Sequence, residues 1–126
     1  MSKPDYQIRN NVKFSHGERI DVGAEVSACQ HQWFNQTLTQ VNESVVRLGV
    51  LEGEFHWHKH ESEDEFFFVL SGRLLIDIGT EDDHETVELG PQQGVTVSKG
   101  VLHRPRAPER TVVVMVEEAT VQPTGD

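Results

Sequence analysis

The residues with the clearest chemical potential are three alternating histidines, His56, His58 and His60. On a β-strand alternate side chains point to the same side, so the three imidazoles would share one face. Two imidazoles separated by two strand rises, about 7 Å at Cα, can converge on one cation. Imidazole binds iron, manganese, nickel, zinc and copper. The alternative for such a run is a solvent-exposed strand face that holds no ligand.

Two further residues can complete a site around the same cation. Glu65 follows a polar turn at residues 61–64 and would add an anionic carboxylate oxygen. His103, far along the chain, is the fourth candidate ligand. We therefore expect imidazoles of the histidine run, with Glu65 and His103, to hold one divalent metal ion per chain (Fe, Mn, Ni, Zn or Cu).

The elements that must position these groups are short strands. From residue 36 apolar residues recur with period two, and this pattern predicts nine strands: residues 37–41, 44–51, 54–60, 65–70, 73–78, 86–89, 94–98, 102–106 and 111–117. Ser71-Gly72 predicts a hairpin between the strands at 65–70 and 73–78. Regular short strands with almost no helix indicate an all-β, antiparallel sandwich or barrel.

The chain before residue 36 is less regular. Residues 6–14 form a weak strand pattern, and the apolar spacing within residues 18–34 predicts a short helix. The length of 126 residues fits a single domain. We expect residues 1–35 to pack on the barrel, residues 36–120 to form it, and residues 121–126 to be a tail.

Composition excludes several classes of function. There are 21 acidic and 11 basic residues and a net charge of −10, which argues against a nucleic-acid or anionic-lipid surface. The single cysteine, Cys29, allows no internal disulfide and favours a reducing compartment. Residues 1–10 lack the apolar run of a signal peptide, and no stretch is long enough for a membrane span. We expect a cytoplasmic protein that binds a small-molecule ligand or substrate.

The spacing of the histidines resembles the first motif of the cupin superfamily. That motif runs H-x-H, three or four residues, E, six residues, G. Here His58-Lys59-His60 is followed by four residues, Glu65, six residues and Gly72. Gly53, at the place of the glycine that opens the motif, is one residue closer to the histidines than in the family pattern.

The second cupin motif is partly kept. Residues 98–103 preserve the spacing of P-x-G-x-x-H and its histidine, His103, but Ser98 replaces the proline. Gln92 and Ala107 replace the glycine and the asparagine at the ends of the motif. The likeness to small bacterial cupins extends over residues 42–126.

The resemblance implies a double-stranded β-helix, the jelly-roll barrel of cupins. It also implies that His58, His60, Glu65 and His103 hold the metal ion, which keeps open coordination positions. It implies a metal-dependent enzyme acting on a small polar or carbonyl-bearing molecule, of dioxygenase, isomerase or lyase type. The alternative is a non-catalytic small-molecule or metal-binding module, because one fold serves many functions.

Two residues near the predicted site remain open. His56 would be a general base, a substrate anchor or a partner of a ligand, or only a polar group at the barrel mouth, which we favour. Arg47 would hold a substrate carboxylate if it pointed inward, whereas an outward surface charge is the commoner outcome.

Strand alternation also predicts an apolar outer surface. If Glu65 points inward, Phe66 and Phe68 point outward, and Phe55 and Trp57 oppose the histidines in the same way. Such a patch needs a cover, which would come from the amino-terminal segment or a second subunit. Since small cupins are typically dimers, we expect a homodimer.

Overall fold

The computed structural model describes all 126 residues as eight strands and one helix. The elements, in chain order, are β1 (Tyr6–Arg9), α1 (Val22–Ala28), β2 (Trp33–Val41), β3 (Ser44–Glu54), β4 (Glu65–Ser71), β5 (Leu74–Gly79), β6 (His84–Leu89), β7 (Gly94–Val97) and β8 (His103–Glu118). The predicted short helix is confirmed, and Asp21 caps it by accepting from the Ala24 amide at 3.0 Å. No helix has the length and apolar character that a membrane crossing requires.

The longest strand, β8, joins the two halves of the barrel. Its first residues, 103–106, pair with β5, and residues 112–117 lie between β3 and β4. Around it the sheet follows the order β1-β2-β3-β8-β4-β7, while β6 pairs with β5. All pairings except β1–β2 are antiparallel. The predicted all-β, double-stranded β-helix is therefore confirmed.

The hairpin predicted at Ser71-Gly72 is wrong. β4 pairs with β7 and β8, whereas β5 pairs with β6 and a different part of β8. The Thr111 side chain holds this crossover, because its hydroxyl accepts from the Arg73 amide and donates to the Arg73 carbonyl, both at 3.0 Å. Gly72 has φ +88°, and a Cβ there would lie 2.5 Å from the Thr111 hydroxyl. The same turn residues thus serve a crossover as well as a hairpin.

Three other predicted strands differ from the structure. β3 ends at Glu54, so residues 55–60 are not a regular strand, and their one bridge joins His58 to His103. The predicted strands at 102–106 and 111–117 are a single strand, β8.

The apolar interior lies on two sides of the sheet. Inside the barrel the largest cluster contains Trp33, Leu51, Phe55, Phe67, Val69, Leu74, Ile76, Leu89, Val97, Ala107, Val113 and Met115. On the outer side the segment before β2 covers Leu38, Leu48, Val50 and Val112 with Phe14, Ile20, Val22, Val26 and Cys29, and Phe34 of β2 packs against the same cluster. The amino-terminal residues therefore cover one part of the outer surface.

The aromatic residues correct the predicted outer surface. Phe55 belongs to the inner core and is only 3% exposed, because the chain leaves strand geometry after Glu54. Trp57 is half-buried, with the Arg104 guanidinium 5.2 Å from its ring centroid. Phe66 and Phe68 are half-buried on the outer side of β4.

A buried aspartate fixes the pairing of β5 with β8. Asp77 is fully buried and accepts hydrogen bonds from Arg104, Arg106 and Thr86 at 2.7–3.1 Å. Burial acts to raise the pKa of Asp77, but bonds from Arg106, Thr86 and Arg104 outweigh it and hold the pKa well below its usual range. This network lies next to His103, which pairs with Ile78 of β5.

We expect the substitution Asp77→Asn to destabilise the fold at neutral pH by roughly 2 kcal/mol, since charged hydrogen bonds are lost. Because the folded pKa is depressed, the carboxylate's contribution is fully present above the unfolded pKa of about 3.9 and is lost as pH falls below it. Denaturant unfolding from pH 7 to pH 3 measures the difference, which should shrink with acid. The exposed turn residue Asp82 supplies the control Asp82→Asn, and an equal effect there would contradict the assignment.

Candidate metal centre

The four residues expected to bind metal lie together inside the barrel. His58, His60, Glu65 and His103 are all buried, and each offers one ligand atom within 4.8 Å of the others. Glu65 Oε1 lies 3.3 Å from His103 Nε2 and 3.6 Å from His60 Nε2. Three imidazoles and one carboxylate thus converge on one point.

The barrel's own backbone bonds set this convergence. Glu65 is the first residue of β4 and His103 the first of β8. The His58 amide donates to the His103 carbonyl at 3.0 Å, and the His103 amide donates back at 2.9 Å. The His60 carbonyl accepts from the Gly100 amide at 2.8 Å. The residues of the two motifs are therefore hydrogen-bonded to each other.

Two histidines have a fixed ring orientation. His58 Nδ1 lies 3.1 Å from the His56 carbonyl oxygen, and His103 Nδ1 lies 2.9 Å from the Val101 carbonyl oxygen. A carbonyl oxygen only accepts, so Nδ1 carries the hydrogen in each ring and Nε2 has its lone pair free. This is the tautomer that a metal ligand bound through Nε2 needs.

The His60 ring is the least satisfied group in the site. Its side chain is 1% exposed, yet neither ring nitrogen has a hydrogen-bond partner. Buried polar atoms are rarely left unpaired. A metal ion beside Nε2 would satisfy that nitrogen, so the residues present fit a bound ion.

The charge states also suit a cation. Burial, together with the neighbouring His103 and His60, lowers the pKa of His58 to about 3, so its ring is neutral. Burial acts to raise the pKa of Glu65, but the neighbouring side chains of Glu117, His103 and His60 hold it well below its usual value. Neutral imidazoles and an ionised carboxylate are the ligand forms that metals bind.

Glu117 is a second buried carboxyl group, which the sequence analysis did not identify. It lies opposite Glu65 in the β4–β8 ladder and is 4% exposed. Burial and the Glu65 carboxylate raise the pKa of Glu117, so we assign the pair one proton, carried by Glu117. A protonated carboxyl still has an accepting oxygen, and Oε1 takes a bond from Arg47 at 2.7 Å.

Arg47 points inward, against the commoner expectation of an outward charge. It is 3% exposed and also donates to Thr37 Oγ1 at 3.1 Å and to the Val121 carbonyl at 3.2 Å. All three guanidinium nitrogens donate to protein groups. Arg47 therefore supports Glu117 and is not free to bind a substrate carboxylate.

A narrow cavity of about 30 Å³ lies beside the site. Its lining is mostly apolar and includes Ile8, Trp33, Asn35, Leu51, Phe55, His58, Glu65, Phe67, Pro105, Met115 and Pro123. Asn35 is the second polar group that the sequence analysis missed: it is 9% exposed, and its Oδ1 has no partner. The available signal was its position two residues after Trp33, which puts both side chains on one face of β2.

His56 lies outside the cluster of ligand atoms. It is half-buried, and its Nε2 lies 2.6 Å from the Thr124 carbonyl oxygen. The favoured interpretation of His56 as a polar group bonded to backbone agrees with this contact.

Comparison with known proteins places the chain in a family. A family model described as "Cupin domain" matches residues 44–117, which include all four clustered residues. The chain belongs to the cupin family. The resemblance seen in the two sequence motifs is therefore confirmed.

This cupin is similar to several proteins in sequence or in structure. It is 43% identical over 83 residues to the "Uncharacterized protein YdbB" of Bacillus subtilis, covering 66% of this chain and 71% of that protein. A cupin-2 domain protein of Shewanella frigidimarina has 29% identity and a TM-score of 0.70, over 79% of this chain and 93% of the other. A conserved protein of unknown function from Streptococcus pyogenes has 24% identity and a TM-score of 0.68, over 97% and 98%.

Proposed function

We propose that this cupin is a metal-dependent enzyme acting on a small polar or carbonyl-bearing molecule, with one divalent ion held by His58, His60, Glu65 and His103. The observation that carries the proposal is the buried convergence of these four side chains within 4.8 Å. When bound, the ion would act as a Lewis acid on a carbonyl or carboxylate oxygen. Three imidazoles and one carboxylate suit Fe, Mn, Ni, Zn or Cu.

The cavity supports a small reacting group. A volume of about 30 Å³ holds roughly two water molecules. A substrate would therefore place a carbonyl, carboxylate or hydroxyl group in the cavity. The apolar side chains of the cavity wall would contact the adjoining substrate atoms. Asn35 is the polar side chain available to orient a hydroxyl group, because its Oδ1 is a buried and unpaired acceptor.

The second candidate is a non-catalytic module that binds a small molecule through the metal. One observation favours it: two polar groups near the cluster are already engaged with protein. His56 contacts the Thr124 carbonyl, and Arg47 donates to Glu117 Oε1. Under this alternative no free general base stands beside the ion.

Charge and cysteine content support the remaining expectations. A net charge of −10 disfavours nucleic-acid binding, because phosphates must be neutralised by basic groups. Cys29 is the single cysteine, and it is free, which suits a cytoplasmic location. The partner we propose is a small molecule.

An apolar outer face supports a homodimer. In the β3–β8–β4 ladder Val116 lies between Val46 and Phe66, and Val114 lies opposite Phe68. These five residues are half-buried or exposed, and the amino-terminal segment does not cover them. We propose that a second copy of the chain covers this outer apolar face. The face continues the sheet surface whose other part is covered by the amino-terminal segment.

The metal assignment is tested by element analysis of protein purified without chelators. We expect about one ion per chain in the wild type and none in the double variant His58→Ala/His103→Ala. Metal at a hundredfold excess over Kd should stabilise the wild type by about 2.7 kcal/mol in thermal unfolding. The exposed His16 supplies the control His16→Ala. Stoichiometric metal in a folded double variant, checked by circular dichroism, would remove the assignment.

Catalysis is tested by turnover of a panel of diketones, thiols, sugar phosphates and uronates, under air and under nitrogen. The enzyme proposal expects turnover of a member of the panel. That rate should fall about a hundredfold or more on chelation, because a bound ion supplies several kcal/mol of transition-state stabilisation. Calorimetric binding of panel compounds without any turnover would instead support the non-catalytic module.

The homodimer is tested by sedimentation. We expect the wild type to sediment as a dimer and Val116→Glu to sediment as a monomer, since a charge would be placed in the apolar interface. Val12, exposed on the amino-terminal segment, supplies the control Val12→Glu, which should remain dimeric. A monomeric wild type at micromolar concentration would refute this assembly.

A further inference from the structure

Residues 121–126, here called the strap, lie against the candidate metal centre. Val121 is 2% exposed, and its carbonyl accepts from both terminal nitrogens of Arg47 at 3.2 and 3.3 Å. Pro123 is buried and lines the cavity. The strap is therefore held by buried contacts and forms part of the cavity wall.

The second half of the strap is hydrogen-bonded to residues 56–60, here called the histidine segment. The Asp126 amide donates to the Lys59 carbonyl at 3.1 Å, and the Thr124 carbonyl oxygen lies 2.6 Å from His56 Nε2. Gly125 has φ +98°, and a Cβ there would lie 2.7 Å from the Cβ of His58. A side chain at this position would displace His58, so glycine allows the close approach.

The three clustered imidazoles differ in what their Nδ1 atoms contact. In His58 and His103 this nitrogen lies within 3.1 Å of a backbone carbonyl oxygen two residues earlier. His60 Nδ1 has no hydrogen-bond partner although the side chain is 1% exposed. The carboxylate beside it is that of Asp126, whose Oδ1 lies 4.0 Å away.

The two oxygens of the Asp126 carboxylate have different neighbours. Asp126 Oδ2 accepts from the Glu61 amide at 2.6 Å, so one oxygen is fixed by backbone. The other, Oδ1, has the His60 ring beside it. A shift of about 1 Å brings Oδ1 within hydrogen-bond distance of Nδ1. With Nε2 on the opposite side of the ring, 3.6 Å from Glu65, the ring lies between the two carboxylates.

We propose that Asp126 is a positioning residue, which accepts the Nδ1 hydrogen of His60 and so directs Nε2 at the metal ion. The proposal rests on the metal binding proposed above. Metal-binding histidines donate their other ring hydrogen to a carboxylate or a carbonyl, and this partner fixes tautomer and orientation. The backbone fulfils this role for His58 and His103. For His60 the strap fulfils it.

The test compares Asp126→Ala and Asp126→Asn with the wild type by zinc competition against a chromophoric chelator. We expect the zinc Kd to rise about 10- to 100-fold in Asp126→Ala, with a smaller rise in Asp126→Asn, whose amide oxygen still accepts. The copper(II) form of Asp126→Ala should show altered electron paramagnetic resonance, because one nitrogen ligand is reoriented. The thermal midpoint of the metal-free protein reports packing independently.

Asp82→Ala, an exposed aspartate in the β5–β6 turn, is the matched control and should change neither the Kd nor the spectrum. An unchanged Kd and spectrum in Asp126→Ala would overturn the proposal. A weaker Kd with an unchanged spectrum and a lower metal-free midpoint would also overturn it, since Asp126 would then act only in packing. Failure of the metal assignment itself is distinguishable, because the wild type would then bind no zinc.

Discussion

The site depends on the reciprocal backbone bonds that join His58 to His103 at 2.9 and 3.0 Å. These two residues are 45 positions apart, and neither is placed by local structure: residues 55–60 have left the β3 ladder, and His103 is the first residue of β8. Register along β8 then decides the site, because a slip of one residue would turn His103 away from the interior. The Asp77 network fixes the same stretch of β8 through Arg104 and Arg106.

A second constraint is the charge inside the barrel. Two buried carboxyl groups, Glu65 and Glu117, face one buried guanidinium, that of Arg47. With Glu117 protonated, the Glu65 charge is left at the centre beside the neutral imidazole of His58. A divalent cation there would meet one anionic oxygen directly, and the Arg47–Glu117 contact fixes the second carboxyl group. The interior thus suits a positive charge.

The sequence predicted the four clustered residues because their signal is a short-range spacing, H-x-H followed by a glutamate, with one distant histidine in a second motif. It predicted the wrong partner for β4, because Ser71-Gly72 suits a crossover as well as a hairpin, and Thr111 decides between them from 40 residues away. Glu117 was missed for the same reason. Its role follows from lying opposite Glu65, and cross-strand register is not written in local spacing.

Residues 121–126 show how a segment without regular structure can carry specific information. A loose tail needs no glycine with positive φ, yet Gly125 has φ +98° and approaches His58 to a distance that excludes a Cβ. It also needs no buried proline, yet Pro123 lines the cavity. These features have a common cause if the strap must lie flat on the histidine segment. The strap, which follows β8, then completes the cavity wall that the strands leave open. It lies beside His60, the imidazole whose ring nitrogens have no hydrogen-bond partner.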